Sequence, residues 1–420
     1  MSDIVKKFFK PVSVLLIPLV FSCGIQPFSA EKDDIPEQYQ FAAWVLKNYF
    51  IFQERLPADL YGFSSPEELY LSVNEPYTRF YMTVLAEVLR NMVNSESEVA
   101  GIGLLMDSVY NGYVIKDVFP DAPGERAGLL RRDTVIEVSG QSTAGMNWNS
   151  VQNLINGVVG TEVTLGIKRG DTTFNQKIIL DIFKSPTVFV DTIDSVVAFI
   201  RLSMFIKDSN IPGGSAQEFK NALRATEWAQ YTILDLRGNP GGMVNQCLEI
   251  AGEMVKTNSP VIRSQERQMD ERYNSYTFDT VYSTSGNGSA ADRNLIILAD
   301  NNSASASEIL ISCIKENRPE VILIGDTTYG KARMQVWADG PDRVMAIVTC
   351  GLLSPPLNGT PYDMVGIPPD IPVEPGQDAF DVALTVINGT LAKSKRTGKP
   401  GRYYTDGKKI PSVPLCILQK

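Results

Sequence analysis

The tightest constraint on this chain is a set of three short, unbroken apolar runs lying between helical stretches: Thr232–Leu236, Leu295–Ala299 and Val321–Ile324. Runs of this length without polar alternation read as strands buried on both faces, and such strands need helices packed over them, hence an α/β layer. The neighbouring pattern agrees, with a strand over Val196–Leu202 and helices over Ala216–Ala225, over Gln246–Val255 and from Ala306. In open α/β sheets, ligands bind beyond the carboxyl ends of the strands. Each run ends there in an unusual segment: Arg237-Gly-Asn-Pro-Gly-Gly242, Asp300-Asn-Asn-Ser-Ala-Ser-Ala-Ser-Glu308 and Gly325-Asp-Thr-Thr-Tyr-Gly-Lys331.

A chain of 420 residues exceeds one ordinary core, so several domains are expected. With 44% hydrophobic and 21% charged residues, neither a disordered nor a polytopic membrane chain fits. The net charge of −9 argues against nucleic acid as a partner, because phosphate contacts need a basic surface. The absence of histidine is more restrictive. It removes imidazole acid/base chemistry, Ser-His-Asp and Cys-His nucleophiles and every His-ligated metal. No metal or cofactor is implied by the remaining residues.

Residues 1–23 read as an export signal, with Lys6, Lys7 and Lys10 ahead of the apolar stretch Pro11–Phe21. The stretch is too short to span a bilayer and ends at Ser22-Cys23-Gly24, which resembles a bacterial lipoprotein cleavage site with Cys23 as the lipidated residue. A plain secretory signal with an incidental cysteine is the alternative. Residues 24–34 then form a tether, and 35–95 a helical region in which Phe41, Trp44, Val45 and Tyr49 recur at helical spacing and Ser65-Pro-Glu-Glu68 is a capping box. Cys247, Cys313, Cys350 and Cys416 lack metal or redox spacing and read as small core residues. Residues 391–420, rich in glycine, proline and charge, form a tail with no assigned role.

Residues 97–183 have a different texture. Short strands are expected over Tyr113–Val118, Thr134–Val138, Glu162–Lys168 and Gln176–Leu180, with a helix over Trp148–Val158. Gly101-Ile-Gly-Leu104 precedes this set, and Ala122-Pro-Gly-Glu-Arg-Ala-Gly-Leu129 precedes the Thr134 strand. Together they resemble a PDZ domain. The resemblance makes Ile102, Gly103 and Leu104 a loop whose backbone N–H groups face a peptide's terminal carboxylate, the peptide adding as a strand alongside.

Residues 185–390 hold the segments that can carry chemistry. Ser305-Ala-Ser-Glu308 is a capping box and, as structure alone, starts a helix. Gly325–Ala332 nearly matches a phosphate-binding loop, but Ala332 lacks the magnesium-binding hydroxyl and Arg333–Gly340 does not read as the helix such a loop opens. The combination supports a sharper reading. A serine nucleophile needs a base, and without histidine a neutral lysine can serve if desolvation lowers its pKa. Gly325–Gly330 brings Lys331 into the crevice, and Gln335 can orient its amine without adding charge. Oxyanion donors are available from the backbone at Gly241 and Gly242 and at Ala306, directly after Ser305.

Over about residues 35–390 the chain resembles the carboxyl-terminal processing peptidases, or tail-specific proteases. The motifs carrying the resemblance are Asn74-Glu-Pro-Tyr-Thr78, the PDZ segments, Asp235–Gly242, Ser303–Glu308, Thr328-Tyr-Gly-Lys331 with Gln335, and Gly366–Ile371. It implies a multidomain α/β protein with a crotonase-like peptidase core, Ser305 as nucleophile, Lys331 as base and Gln335 as third member. The Ser-to-Lys segment is one residue longer than usual near Asn317-Arg-Pro319, and Gly238 replaces a usually polar residue. The expected protein is a serine endopeptidase of the bacterial cell envelope, on the periplasmic side and lipid-anchored, acting on polypeptides with free C-termini. A noncatalytic PDZ scaffold on the same fold is the alternative, against which the intact Ser305, Lys331 and Gln335 count.

Overall fold

A computed structural model describes residues 28–396 apart from 31–33, 83–85, 87–97, 120, 131, 194–195, 208, 210, 271, 358 and 375–376. The mixed α/β chain divides into two units. One comprises residues up to Val93 with Leu236–Ala291 and Leu298–Asp378; the other comprises Asn94–Asp235, Asp292–Ile297 and the chain from Ala379 onward. Cys23 and Cys416 lie outside the described residues.

The first unit begins with α1 (Glu37–Tyr49), which turns Phe41, Val45, Leu46 and Tyr49 inward. In α2 (Pro66–Ser72), Ser65 accepts the Glu68 N–H at 3.3 Å and Pro66 supplies a φ suited to a first turn. The capping box is only half made, because the Glu68 carboxylate bonds the N–H and hydroxyl of Ser64 at 2.8 and 2.6 Å instead of the Ser65 N–H. The region is not helical throughout, since strand β1 (Arg79–Tyr81) follows.

In the second unit come β2 (Glu98–Gly101), β3 (Leu104–Val109), β4 (Gly112–Val118), the short helix α3 (Pro123–Arg126), β5 (Thr134–Val138), β6 (Gln141–Ser142), α4 (Trp148–Ile155), β7 (Glu162–Arg169), β8 (Thr172–Ile179) and β9 (Asp181–Lys184). Strands run in the order β3-β4-β5-β7-β8, with β6 on β5 and β2 paired to β9. The alternating Val163, Leu165 and Ile167 of β7 pack with Val135, Val138 and Val151 in one core. Asp133, buried, accepts Arg169 Nε and Nη2 at 2.7 and 2.6 Å and the Leu130 N–H at 2.9 Å, which ties the turn before β5 to β7. The helix expected to reach Val158 stops at Ile155 because Asn156 is extended. The strand expected over 176–180 begins at Thr172 and breaks at Leu180, whose N–H bonds the Thr161 carbonyl. Beyond it, β10 (Val188–Thr192) pairs antiparallel with β11 (Val197–Leu202); α5 (Gly214–Ala225) then leads to β12 (Tyr231–Asp235), parallel to β11.

The remaining elements are α6 (Val244–Met254), β13 (Pro260–Met269), β14 (Ser275–Ser283), β15 (Asn294–Ala299), α7 (Ala306–Asn317), β16 (Ile322–Gly325), β17 (Arg333–Asp339), β18 (Met345–Ser354), β19 (Ile371–Pro372) and α8 (Ala379–Arg396). An antiparallel sheet of order β1-β18-β13-β14, with β17 on β18, organises the first unit. Helix α7 is buried from Ala306 to Ile314. Each of its fully buried Ile and Leu side chains contributes roughly 1.5–3 kcal/mol. The Leu236 N–H donates to the Leu298 carbonyl at 2.9 Å and the Asp326 N–H to that of Ala299 at 3.1 Å, so the ends of the three apolar runs lie side by side. Helix α8 continues past residue 390. No helix among the described residues is long and apolar enough to cross a membrane.

Candidate active site

The segments beyond the three strand ends dock on one another through backbone groups. The Asn239 carbonyl accepts the Ala304 N–H and the Ser307 hydroxyl, both at 3.0 Å, and Asn239 Oδ1 accepts the Gly241 N–H at 2.9 Å. Gly241 has φ +104°, and a Cβ there would stand 2.8 Å from Ser305 Cβ and 2.9 Å from Ala306 N. Only glycine lets this turn approach the start of α7 so closely. Ala306, the first residue of that helix, has no intrahelical acceptor for its N–H.

The three serines have different surroundings. Ser303 Oγ donates to the Leu236 carbonyl and accepts the Asp300 N–H, both at 2.9 Å, and Ser307 Oγ is held by Asn239. Ser305 is also buried, yet its hydroxyl has no hydrogen-bond partner among the described residues. Its backbone sits at φ 60°, ψ −115°, a conformation costly for a residue with a Cβ. The expected capping box is present at the start of α7: the Glu308 carboxylate accepts the Ser305 N–H at 2.8 Å, while the Ser305 hydroxyl lies on the side of the Glu308 N–H without making a hydrogen bond to it.

Glu308 does more than cap. Its Oε1 accepts the Thr328 hydroxyl and the Gly330 N–H at 2.6 Å each, and its Oε2 accepts the Lys331 N–H at 2.8 Å beside that of Ser305. Burial pushes its pKa up, and these four donors act against the shift by favouring the ionised form. The backbones of Ser305 and Lys331 thus converge on one carboxylate oxygen. Sequence reasoning took Glu308 only as a cap, although a carboxylate in the first turn of an otherwise apolar helix must find donors when buried.

Lys331 is 1% exposed, and its Nζ donates to Gln335 Oε1 at 2.8 Å. Gln335 Nε2 in turn donates to the Tyr77 carbonyl, and the Tyr77 ring lies 5.3 Å from the amine. Burial lowers the Lys331 pKa to about 8, opposed by the charges of Glu75 and Glu308. An unfolded lysine, at 10.5, binds the proton more tightly, so this residue adds stability as pH rises from about 8 to 10.5 and opposes folding below. The chain after Lys331 is strand β17, not the helix a phosphate loop requires. Lys331 and Gln335 are brought into contact; Ser305 is joined to them through Glu308 and not by its hydroxyl.

Residues 196–373 match Peptidase family S41, and residues 114–169 match the PDZ domain. The chain carries an S41 peptidase domain and a PDZ domain. Carboxy-terminal processing protease CtpA of Bacillus subtilis is 28% identical over 273 residues, 63% of this chain and 53% of that protein. CtpB of the same organism is 27% identical over 315 residues, 73% and 61%. The match therefore spans less than two thirds of either Bacillus relative. The carboxyl-terminal-processing protease of Synechocystis is 28% identical over 353 residues, 79% and 78%. A crystal structure of a Bacteroides fragilis protein assigned to the S41 proteases shares the fold, with a TM-score of 0.56 at 16% identity, covering 87% of this chain and all of that one.

Ahead of the segment that matches the PDZ domain, Ile102 packs into one core with Val135 and Leu165 of that segment, and its carbonyl accepts the Gly124 N–H at 2.7 Å. Gly103 has φ +69°, and a Cβ there would fall 2.1 Å from that of Ala122. Leu104 opens β3, which is the end strand of its sheet. Around Lys331, the sequence reading gives no part in the site to Glu75, Tyr77 or Arg333 and makes Glu308 only a cap. The Asn74–Thr78 motif had marked two of them.

The hydroxyl partners predict how the serines differ in stability. Ser303→Ala, which strips a buried donor and acceptor, is expected to cost about 1–3 kcal/mol in chemical denaturation, and Ser307→Ala about 1 kcal/mol. Ser305→Ala removes an unpartnered hydroxyl and should leave the midpoint unchanged or higher, whereas a capping serine would lose about 0.5–2 kcal/mol.

Proposed function

We propose that the protein is a serine endopeptidase that takes up polypeptides by their C-termini through the PDZ domain and cleaves them through an acyl-enzyme on Ser305. The observation that carries this reading is the pairing of a buried, unpartnered serine hydroxyl with a desolvated lysine whose backbone shares the same carboxylate oxygen. Neutral Lys331 takes the proton of Ser305 as Oγ attacks the scissile carbonyl carbon. The developing oxyanion is met by the N–H of Ala306 and of the Gly241-Gly242 turn, whose Gly241 N–H donates to Asn239 Oδ1 in the resting site. The tetrahedral adduct collapses as the Lys331 ammonium returns its proton to the leaving amine. Water, deprotonated by the Lys331 amine, then adds to the ester carbonyl carbon, and the adduct expels Ser305 Oγ, which takes its proton back from Lys331. Proton transfer requires Oγ and Nζ within about 2.6–3.2 Å, a contact that free enzymes often complete only with substrate.

The wider assignment follows the same reading: an N-terminal region over 35–95 that carries α1, α2 and β1, a PDZ domain over 97–183 with Ile102, Gly103 and Leu104 as its carboxylate loop, and a crotonase-like core over 185–390. The protein is placed in the bacterial cell envelope, held on the periplasmic side by a lipid on Cys23. The charge of −9 and the short apolar stretch at 11–21 support an exported polypeptide-binding enzyme over a nucleic-acid partner or a membrane-spanning chain.

Incubation of the purified protein with an unfolded polypeptide tests the chemistry. Ser305→Ala and Lys331→Ala should each lower kcat by several orders of magnitude, Lys331→Arg should not recover it, and Gln335→Ala should cost less. Activity should rise with pH through about 8 as the lysine loses its proton. Cleavage by folded Ser305→Ala at the wild-type rate would move the nucleophile elsewhere, and a wild type that binds polypeptide without cutting it would support the scaffold. For the PDZ domain, amidating a peptide's C-terminus should weaken binding in titration; equal affinity of acid and amide would exclude carboxylate capture. Cys23→Ser should leave the membrane fraction, and retention there would exclude the lipid anchor.

A further inference from the structure

The Ser-Lys reading needs the lysine's lone pair to face the serine, and the side-chain amide of Gln335 decides this. Its Oε1 accepts one N–H of Lys331, while its Nε2 donates to the Tyr77 carbonyl, which can only accept. A flipped amide would point its N–H groups at the amine and occupy the lone pair that must receive the serine proton. The Tyr77 carbonyl therefore sets the polarity of the pair, and what fixes that carbonyl lies one step further out.

Glu75 is buried two residues before Tyr77. Its Oε2 accepts the Tyr77 N–H at 3.0 Å and the Thr349 hydroxyl at 2.8 Å, and its Oε1 accepts Arg333 Nη1 at 2.8 Å. Arg333 completes a fork on Asp363 through Nε at 3.0 Å and Nη2 at 2.7 Å. The Tyr77 segment is thus tied to β17, which carries Gln335, and to β18, which carries Thr349. We propose that Glu75 is a positioning residue, which holds the Tyr77 backbone so that Gln335 presents its oxygen, and never its nitrogen, to Lys331.

This rests on the Ser-Lys reading, but its own geometry allows a separate test. The charged and titratable groups around the amine are Glu75 and Tyr77 on the N-terminal segment, Glu308 on α7, Arg333 on β17, and Tyr329, Tyr362 and Asp363 on the loops beside it. Of these, Glu75 is the carboxylate that most strongly favours the ammonium form, so its charge and its positioning leave different signatures.

The test follows the pH titration of the Lys331 side-chain carbon signal by NMR, assigned by its loss in Lys331→Arg, together with peptide turnover. Glu75→Gln removes the charge at nearly constant shape. It should move the Lys331 midpoint below about 8 and, by letting Tyr77 and Gln335 shift, lower kcat about 10- to 100-fold with little change in KM. Glu75→Asp should keep the midpoint near that of the wild type while still lowering kcat. If Glu75→Gln does not fold, Thr349→Val loosens Glu75 with no charge change and should lower kcat at an unmoved midpoint. An unmoved midpoint and undiminished kcat in folded Glu75→Gln would overturn the proposal. So would a loss of kcat with no midpoint shift, which is what a purely structural residue would give. Should the wild type prove inactive on every polypeptide, the peptidase reading fails, and the Gln335 side-chain amide signals then decide the proposal: they should shift in folded Thr349→Val and Glu75→Gln, and unmoved signals in both would overturn it.

Discussion

One buried carboxylate holds the S41 site together. Glu308 sits at the start of a helix with almost no access to water, where an unsolvated charge would be prohibitive. It is tolerable because four donors from two segments point at its two oxygens, two on each. Those donors are the backbone of Ser305, the hydroxyl of Thr328, and the backbone of Gly330 and Lys331. Losing the carboxylate would leave several buried N–H groups without acceptors at once, so the nucleophile turn and the lysine loop depend on the same group.

The strain at Ser305 follows from this arrangement. The N–H must aim at Glu308, while the Gly241 backbone runs so near that a Cβ on it would stand 2.8 Å from Ser305 Cβ. Both neighbouring serines are spent on docking the Asn239 turn and the Asp300 turn, which fixes the backbone before and after residue 305. The middle hydroxyl is left buried and without a partner among the described residues, an expensive condition for a merely structural residue. Strain of this kind persists where the surroundings over-determine it, and such positions cluster at working sites.

Much of this was legible in the sequence, and the rest was hidden for identifiable reasons. The apolar runs at Thr232, Leu295 and Val321 announced strands, and their ends do meet. The boundaries of β5 and of the start of α7 follow from alternation and from the capping pattern. Strands β13 and β17 were not anticipated, because they bury polar side chains: Ser264 and Glu266 on the first, Arg333 and Gln335 on the second. An alternation rule cannot see a strand whose inward positions are charged or amide-bearing. Strand β18 is a different case, since Met345–Cys350 is nearly as apolar as the runs that were recognised. The role of Glu75 was out of reach, because its partners Arg333 and Thr349 lie more than 250 positions away.

The lysine shows why the charged groups around it must be counted together. Burial alone would drive its pKa well down, and an amine that has lost most of its proton affinity makes a poor base even though it is always neutral. An amine left in water would bind its proton firmly and be unavailable near neutral pH. Glu75 and Glu308 each pull the value back up, and the balance lies at about 8. Neither carboxylate bonds the amine directly, since its recorded partner is the neutral Gln335. A direct ion pair would have favoured the ammonium far more strongly, by the short-range Coulomb attraction of a site with little water. Placing the carboxylates on the lysine's backbone and on the Tyr77 segment keeps the field moderate while using both groups to hold the geometry.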